Sequence, residues 1–226
     1  MSRRSAAIPG AHKPEPMETR PARRRWAADG GGLIVEDDYD AEFRYDRSPV
    51  GALQGFDPGR VVHVGTASKT LAPGVRLGWM SLPGDLVDAV RASKAAADSG
   101  SPTVDQLALA NLLSTGEYDR QVGRARHVYR RRRDELVAAL AVRLPRLHVE
   151  GVAAGLHVLL RLPDRVDDVA LACEAAGRGI GVRALFPMQL AGGPQRGPLL
   201  GYGRLTVDRI DDAVEALAAV VGPGAG

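Results

Sequence analysis

Short apolar runs and longer stretches of helical spacing alternate along this chain. The short runs predict strands at 33–37, 61–65 and 75–82. Val61 to Val64 is β-branched and mostly apolar, as a buried strand requires, and Gly65 breaks it. Leu33 to Val35 is an apolar run that leads directly into acids. Helical spacing predicts a helix over 84–97 starting at Pro83-Gly84. A second, over 103–115, is entered through Ser101-Pro102-Thr103, and a long third runs over 116–144. Beyond it, "RLHVE", "LHVLLRL", "IGVRAL" and "PLLGYG" read as strands, with a Gly151–Gly155 turn between the first two. "DRVDDVALACEAAGRG" reads as a helix ended by Gly177 or Gly179. "TVDRIDDAVEALAAVVG" reads as a closing amphipathic helix with Thr206 as its cap.

The pattern divides the chain into three. Residues 1–32 carry few structure signals beyond a helix near "RPARRRWAA" that feeds the first strand. Residues 33–115 read as strands and helices of a larger α/β unit, with a loop and one helical turn over 44–60. Residues 116–226 read as a linker helix followed by a small α+β domain.

Composition narrows the function classes. A hydrophobic fraction of 45% with mixed charge is that of a globular protein, and 226 residues suffice for one large or two small domains. A net charge of +3 does not demand nucleic acid. The long helix carries Arg120, Arg124, Arg126 and the run Arg130 to Arg133, which could bind a phosphate backbone or form a solvated face. Val122, Val128, Leu136 and Leu140, with Asp134 and Glu135, favour the solvated face. The single cysteine, Cys173, forms no intramolecular disulfide, and a cytoplasmic setting is the expectation. No apolar run approaches membrane-span length and no signal-peptide pattern stands at the start. The five histidines show no ligand spacing, and there is no nucleophile elbow, Walker loop or dinucleotide fingerprint.

The lysines change the picture. There are only three, Lys13, Lys69 and Lys94, and Lys69 sits in "VVHVGTASKTLAPGVRLGWM" between two predicted strands. Thr66, Ser68 and Lys69 place two hydroxyls and an amine within four residues, and Arg76 follows as the next strand begins. A lysine between buried strands is costly without a partner or a task. Desolvation and a nearby cation would make its amine a nucleophile for a carbonyl. Hydroxyls and a guanidinium suit a phosphate. Pyridoxal 5′-phosphate (PLP) carries both groups; an ordinary lysine in a solvent-facing turn is the alternative. Asp37 and Tyr39 would share one strand face if the first strand extends that far. A carboxylate and a phenol there could hold a pyridine ring, or form an acidic loop with one packed tyrosine.

"LIVEDDYDAEFRYDRSPVGALQGFDPGRVVHVGTASKTLAPGVRLGWMSLP" resembles the aminotransferase-like domain of MocR/GntR-type regulators, in the fold-type I PLP-dependent, aspartate aminotransferase-like superfamily. "QLALANLLSTGEYDRQVGRARHVYRRRRDEL", "AAGLHVLLRLP" and "LLGYGRLTVDRIDDAV" follow in family order. The resemblance runs from about Pro21 to Gly222 and is strongest from Ile34 to Pro83. It implies an α/β fold: the C-terminal part of a PLP-dependent transferase large domain plus a small α+β domain. It implies PLP held as an internal aldimine on Lys69, with Asp37 on the pyridine nitrogen, Tyr39 on the ring hydroxyl, and Thr66, Ser68 and Arg76 on the phosphate. An aminotransferase acting on an amino acid or amine is the activity implied. A non-catalytic effector-sensing domain and an inactive gene fragment are the alternatives. The family's winged helix-turn-helix and the first half of its large domain have no counterpart in this sequence. It therefore reads as truncated, with no direct DNA binding, and with strands that lack neighbours. Cytoplasmic location and a homodimer are implied. The small-domain arginine that grips a substrate carboxylate is expected in "PLLGYG", where Leu199 and Leu200 stand instead; Arg183, Arg196 and Arg204 are near in sequence but unassigned.

Overall fold

The structure, a computed structural model, describes residues 26, 29, 32–38, 41–43, 45, 51–150, 155–189, 193 and 195–222. Its contacts divide the described residues into two compact units, one within Pro14–Arg126 and one within His127–Gly226.

The first unit is built on a three-stranded sheet in the order β1 (Ile34–Asp38), β2 (Val61–Thr66), β3 (Gly78–Ser81). β1 and β2 are parallel, with Asp37 beside Val64. β2 and β3 are antiparallel, with Gly65 beside Trp79 and Thr66 beside Gly78. Ile34, Leu53 and Val61 form a buried cluster. The one helical turn expected in the 44–60 loop is the 3₁₀ turn Leu53–Gly55. Glu36 fixes it to β1: its carboxylate accepts from Leu53 N (2.8 Å) and Gln54 N (3.3 Å) and lies 3.1 Å from His63 Nδ1. A Cβ on Gly65 would lie 2.5 Å from the Trp79 indole, so only glycine admits that ring over β2. Both edge strands are thinly covered: Val35 on β1 is 66% exposed, and all of β3 is exposed.

Two helices follow, α1 (Val87–Asp98) and α2 (Thr103–Ser114). Their apolar residues predict a packed face, yet neither helix buries a residue, and Leu107 is 65% exposed. The reason is physical: no described element lies over that face, so the helical spacing is kept without the burial that normally accompanies it. The long helix α3 (Glu117–Arg143) buries Tyr118, Val122, Leu136 and Leu140, while Val128, expected on the apolar side, is 46% exposed.

The second unit is a four-stranded antiparallel sheet in the order β4 (His148–Glu150), β5 (His157–Arg161), β7 (Pro198–Gly201), β6 (Arg183–Ala184). Consecutive Val158, Leu159 and Leu160 are all buried, so both faces of β5 are covered. Helices α4 (Asp168–Gly177) and α5 (Ile210–Val221) bury Leu171, Ala175, Ile210, Val214 and Leu217. Asp167 caps α4 by accepting from Val169 N (2.9 Å) and Ala170 N (3.1 Å). Its neighbour Asp168, fully buried, turns the other way: Oδ2 accepts from Leu185 N, Phe186 N and Gly197 N, each at 3.0 Å. The strand expected at "IGVRAL" shrinks to two residues because Leu185 and Phe186 give their N–H groups to Asp168 and a 3₁₀ turn begins at Phe186. The expected Thr206 cap is also corrected. Its side chain makes no capping bond; a 3₁₀ turn, Val207–Arg209, leads into α5 instead. The Gly151–Gly155 turn lies outside the described residues except for Gly155, whose φ is +73°.

Candidate functional site

The sheet of the first unit brings three chain segments to one edge. β1 and β2 are parallel, so Asp37 and the turn after Thr66 leave the sheet at the same carboxyl end. β3 runs antiparallel, so its entry, just after Arg76, meets that edge too. In open α/β sheets, ligands bind outside the carboxyl ends of parallel strands.

The turn bearing Lys69 is tied down residue by residue. Ala67 is fully buried; its N–H donates to Leu77 O (3.0 Å), and its carbonyl accepts from Leu71 N (2.9 Å). Thr66 Oγ1 donates to Leu77 O (3.1 Å) and accepts from Ser68 N (3.1 Å). Thr70 Oγ1 donates to Ala67 O (3.2 Å) and lies 3.0 Å from the Tyr118 hydroxyl. Thr66, Ala67 and Thr70 therefore hold the turn, and the residues between them face outward: Ser68 is half-buried and Lys69 exposed. The burial cost expected of a lysine between buried strands does not arise, because the chain turns outward before reaching it.

Arg76 adopts φ 52°, ψ 27°, a left-handed conformation uncommon for a residue with a side chain. Such backbone costs on the order of 1–3 kcal/mol and persists where its surroundings impose it. Here the two bonds accepted by Leu77 O, from Ala67 N and Thr66 Oγ1, fix the segment just after it.

Asp37 is exposed, on the β1 face of Val35 and opposite that of Glu36. Among the described residues the side chains of Asp37, Ser68, Lys69 and Arg76 make no hydrogen bond or ion pair. Thr66 differs, since its proton is committed to Leu77 O. Tyr39 lies outside the described residues.

An amine, a hydroxyl, a guanidinium and a carboxylate with unengaged ends, on one sheet edge, match the needs of PLP in kind. The amine suits its aldehyde, the hydroxyl and guanidinium its phosphate, and the carboxylate its ring nitrogen. The donor set therefore fits this cofactor.

Sequence reasoning passed over the residues behind the turn. Tyr118 is 5% exposed, and its hydroxyl lies 3.2 and 3.4 Å from the two carboxylate oxygens of Glu42. Burial pushes the Glu42 carboxyl above its ordinary value, further raised by Asp38 and Asp119 and opposed by the Tyr118 hydrogen bond and Arg126. Burial likewise raises the Tyr118 phenol to about 12. No periodicity signals these contacts, which join residues 48 and 76 positions apart.

In the second unit, Leu200 is buried in β7, paired with Val158, and Leu199 pairs with Leu159 and Arg183. Arg196 lies 3.4 Å over the Phe186 ring and 3.8 Å from Asp168 Oδ1, so it is engaged within the fold. Arg183 and Arg204 are exposed. No described helix is long and apolar enough to cross a membrane, and the described residues contain no cluster of potential metal ligands.

The fold is that of a fold-type I, PLP-dependent domain. The chain belongs to the aminotransferase class I and II family, whose model matches residues 26–217. Membership in that family implies pyridoxal phosphate as cofactor. Among curated proteins the chain is 34% identical over 200 residues to YhdI of Bacillus subtilis, an uncharacterised HTH-type transcriptional regulator. That match covers 88% of this chain and 43% of YhdI. It is 32% identical over 186 residues to MocR of Rhizobium meliloti, a probable rhizopine catabolism regulatory protein, covering 81% of this chain and 38% of MocR. Among solved structures it superposes on an archaeal alanine:glyoxylate aminotransferase with a TM-score of 0.84 at 27% identity. That match covers 91% of this chain and 51% of the archaeal one. The chain thus spans less than half the length of these two curated relatives.

Proposed function

We propose that this chain holds PLP through Lys69 and takes an amino acid or amine at that group, in the manner of an aminotransferase. The observation that carries this reading is the set of four unengaged side chains, Asp37, Ser68, Lys69 and Arg76, on the carboxyl edge of β1 and β2. Bound there, the cofactor supplies the electron sink that such chemistry needs. Lys69 Nζ is the point of attachment and, when free, the base for a proton on the amine-bearing carbon. The Asp37 carboxylate keeps a proton on the ring nitrogen. Ser68 and Arg76 take the phosphate, Thr66 holds their turn and can contribute only by releasing Leu77 O, and Tyr39 is assigned to the ring hydroxyl. Residues 33–115 are the cofactor-holding part of the large domain and 116–226 the linker helix and small domain. A cytoplasmic homodimer completes the reading.

A second reading is favoured by two observations. YhdI is described as an uncharacterised HTH-type transcriptional regulator and MocR as a probable regulatory protein, and Leu199 and Leu200 occupy the strand where a carboxylate-gripping arginine is expected. On that reading the same residues sense an amine effector without turnover.

The test compares equilibrium binding of PLP with that of pyridoxal, which lacks the phosphate. Arg76→Ala should weaken PLP about tenfold, the scale of one charge-assisted contact, and leave pyridoxal unchanged. Equal weakening of both, or of neither, would remove Arg76 from the phosphate site. Turnover with amino-donor and oxo-acid pairs then separates the enzyme from the sensor.

A further inference from the structure

Behind the Lys69 turn, four groups contact one another in a row: the Ala67 carbonyl, Thr70 Oγ1 (3.2 Å from it), the Tyr118 hydroxyl (3.0 Å further) and the Glu42 carboxyl (3.2 Å further). Each hydroxyl owns one proton, and a carbonyl can only accept. If Thr70 donates to Ala67 O, Thr70 Oγ1 must accept from Tyr118. Tyr118 then has no proton left for Glu42, and that last contact can be a hydrogen bond only if Glu42 donates. With Glu42 ionised, the Tyr118 proton goes to the carboxylate. Thr70 must then either abandon Ala67 O or face Tyr118 with no proton between them. The row is complete in one protonation state only.

We propose that Glu42, Tyr118 and Thr70 are positioning residues for Lys69, and that the proton on Glu42 sets the direction of a hydrogen-bond relay that locks the Ala67 carbonyl and hence the turn carrying the lysine. The proposal rests on Lys69 as the cofactor lysine; none of the three residues touches the cofactor in this account. Ala67 O is the right place for such a lock, because Leu71 N donates to the same oxygen and closes the turn around Ser68, Lys69 and Thr70. The charged and titratable groups facing Glu42 are Arg126, Asp119 and Tyr118 from α3 and Asp38 from β1. Arg126 Nε donates to the Glu42 backbone carbonyl, which holds its positive charge near the carboxyl without pairing the carboxylate oxygens. Burial outweighs it and keeps the proton on Glu42 to higher pH than an exposed carboxyl would. Tyr118 stays a neutral phenol throughout. The relay therefore has one titrating member.

The test is hydrogen exchange, read by mass spectrometry on peptides spanning 68–72, in the full chain without PLP. Glu42→Gln supplies a permanent N–H donor in place of the acid; Tyr118→Phe removes the relay; Thr70→Ser keeps the hydroxyl. At matched pH, Tyr118→Phe should speed exchange in this segment about fivefold, the loss of one hydrogen bond. Thr70→Ser should match the parent. The parent's rate relative to Glu42→Gln should rise as Glu42 ionises, while Glu42→Gln shows only the intrinsic pH dependence. Tyr118→Phe exchanging like the parent at every pH would overturn the proposal. If Tyr118→Phe does not fold, a parent-to-Glu42→Gln ratio that stays flat from pH 4 to pH 8 overturns it alone. The second arm is borohydride reduction with PLP and the mass of the Lys69 peptide. No label on Lys69 in the folded parent would defeat the PLP reading while leaving the exchange result to judge the relay.

Discussion

Removing the Asp168 carboxylate should cost substantial stability in the second unit. The side chain is fully buried, and its Oδ2 accepts three backbone N–H groups at 3.0 Å. One of the three, Leu185 N, also donates to Gly197 O at 3.0 Å and keeps that partner in Asp168→Ala. Phe186 N and Gly197 N lose theirs. An orphaned buried donor costs roughly 1–3 kcal/mol, so the two together predict a loss of about 2–6 kcal/mol, toward the lower end because Phe186 N is only partly buried. Asp168→Asn should cost only about 1–2 kcal/mol. Its carbonyl oxygen can still accept all three bonds, and its amide takes the place of Oδ1, which has no hydrogen-bond partner. The residual loss reflects the charge assistance removed and the amide set against Arg196, whose Nη1 lies 3.8 Å from Oδ1. Urea unfolding followed by far-ultraviolet circular dichroism measures both, with an unchanged slope showing that the unfolded state is not altered. Asp168→Ala losing less than about 1 kcal/mol, or Asp168→Asn losing as much as Asp168→Ala, would refute the reasoning.

Three further outcomes follow from the geometry. The Glu42 pKa is raised in the fold, so its stabilising contribution is complete below the ordinary value of 4.5 and disappears as pH rises through the raised value; Tm of Glu42→Gln measured against pH should lack that decline. Gly65→Ala would set a Cβ 2.5 Å from the Trp79 indole and should cost about 1–3 kcal/mol. Adding Trp79→Leu should recover most of that loss in a double-mutant cycle. Gly197→Ala should be worse, roughly 3 kcal/mol or more in the same unfolding assay, because φ is +155° and the new Cβ would stand 2.2 Å from the Leu160 carbonyl, which is backbone and cannot swing away.

Much of the fold could be read from the chain because local rules governed it. The run Val61 to Val64 became the start of β2, but Gly65, expected to break it, pairs within the strand, which continues to Thr66; the apolar spacing of 116–144 became α3 within a residue at each end. Thr66, Ser68, Lys69 and Arg76 could be grouped as a candidate site because they are close in sequence around one strand end, whereas Asp37 comes to the same sheet edge only through the parallel pairing of β1 and β2. What could not be read was non-local. Nothing in "GEYDR" announces that Tyr118 backs the Lys69 turn, or that Glu42 stands behind Tyr118. In "VDD" Asp167 and Asp168 both look like first-turn helix residues; Asp167 caps the helix and Asp168 reaches to residues 17 to 29 positions away. The exposed apolar residues of α1 and α2 mark the limit of periodicity, which predicts a face and not what covers it.

The central claim is that Lys69 holds PLP. The most direct measurement is the visible absorption spectrum of the purified chain mixed with PLP, beside Lys69→Ala. The account predicts a protonated-imine band in the parent that borohydride abolishes and that the variant lacks. A folded parent with no such band, or a variant with the same band, would contradict it.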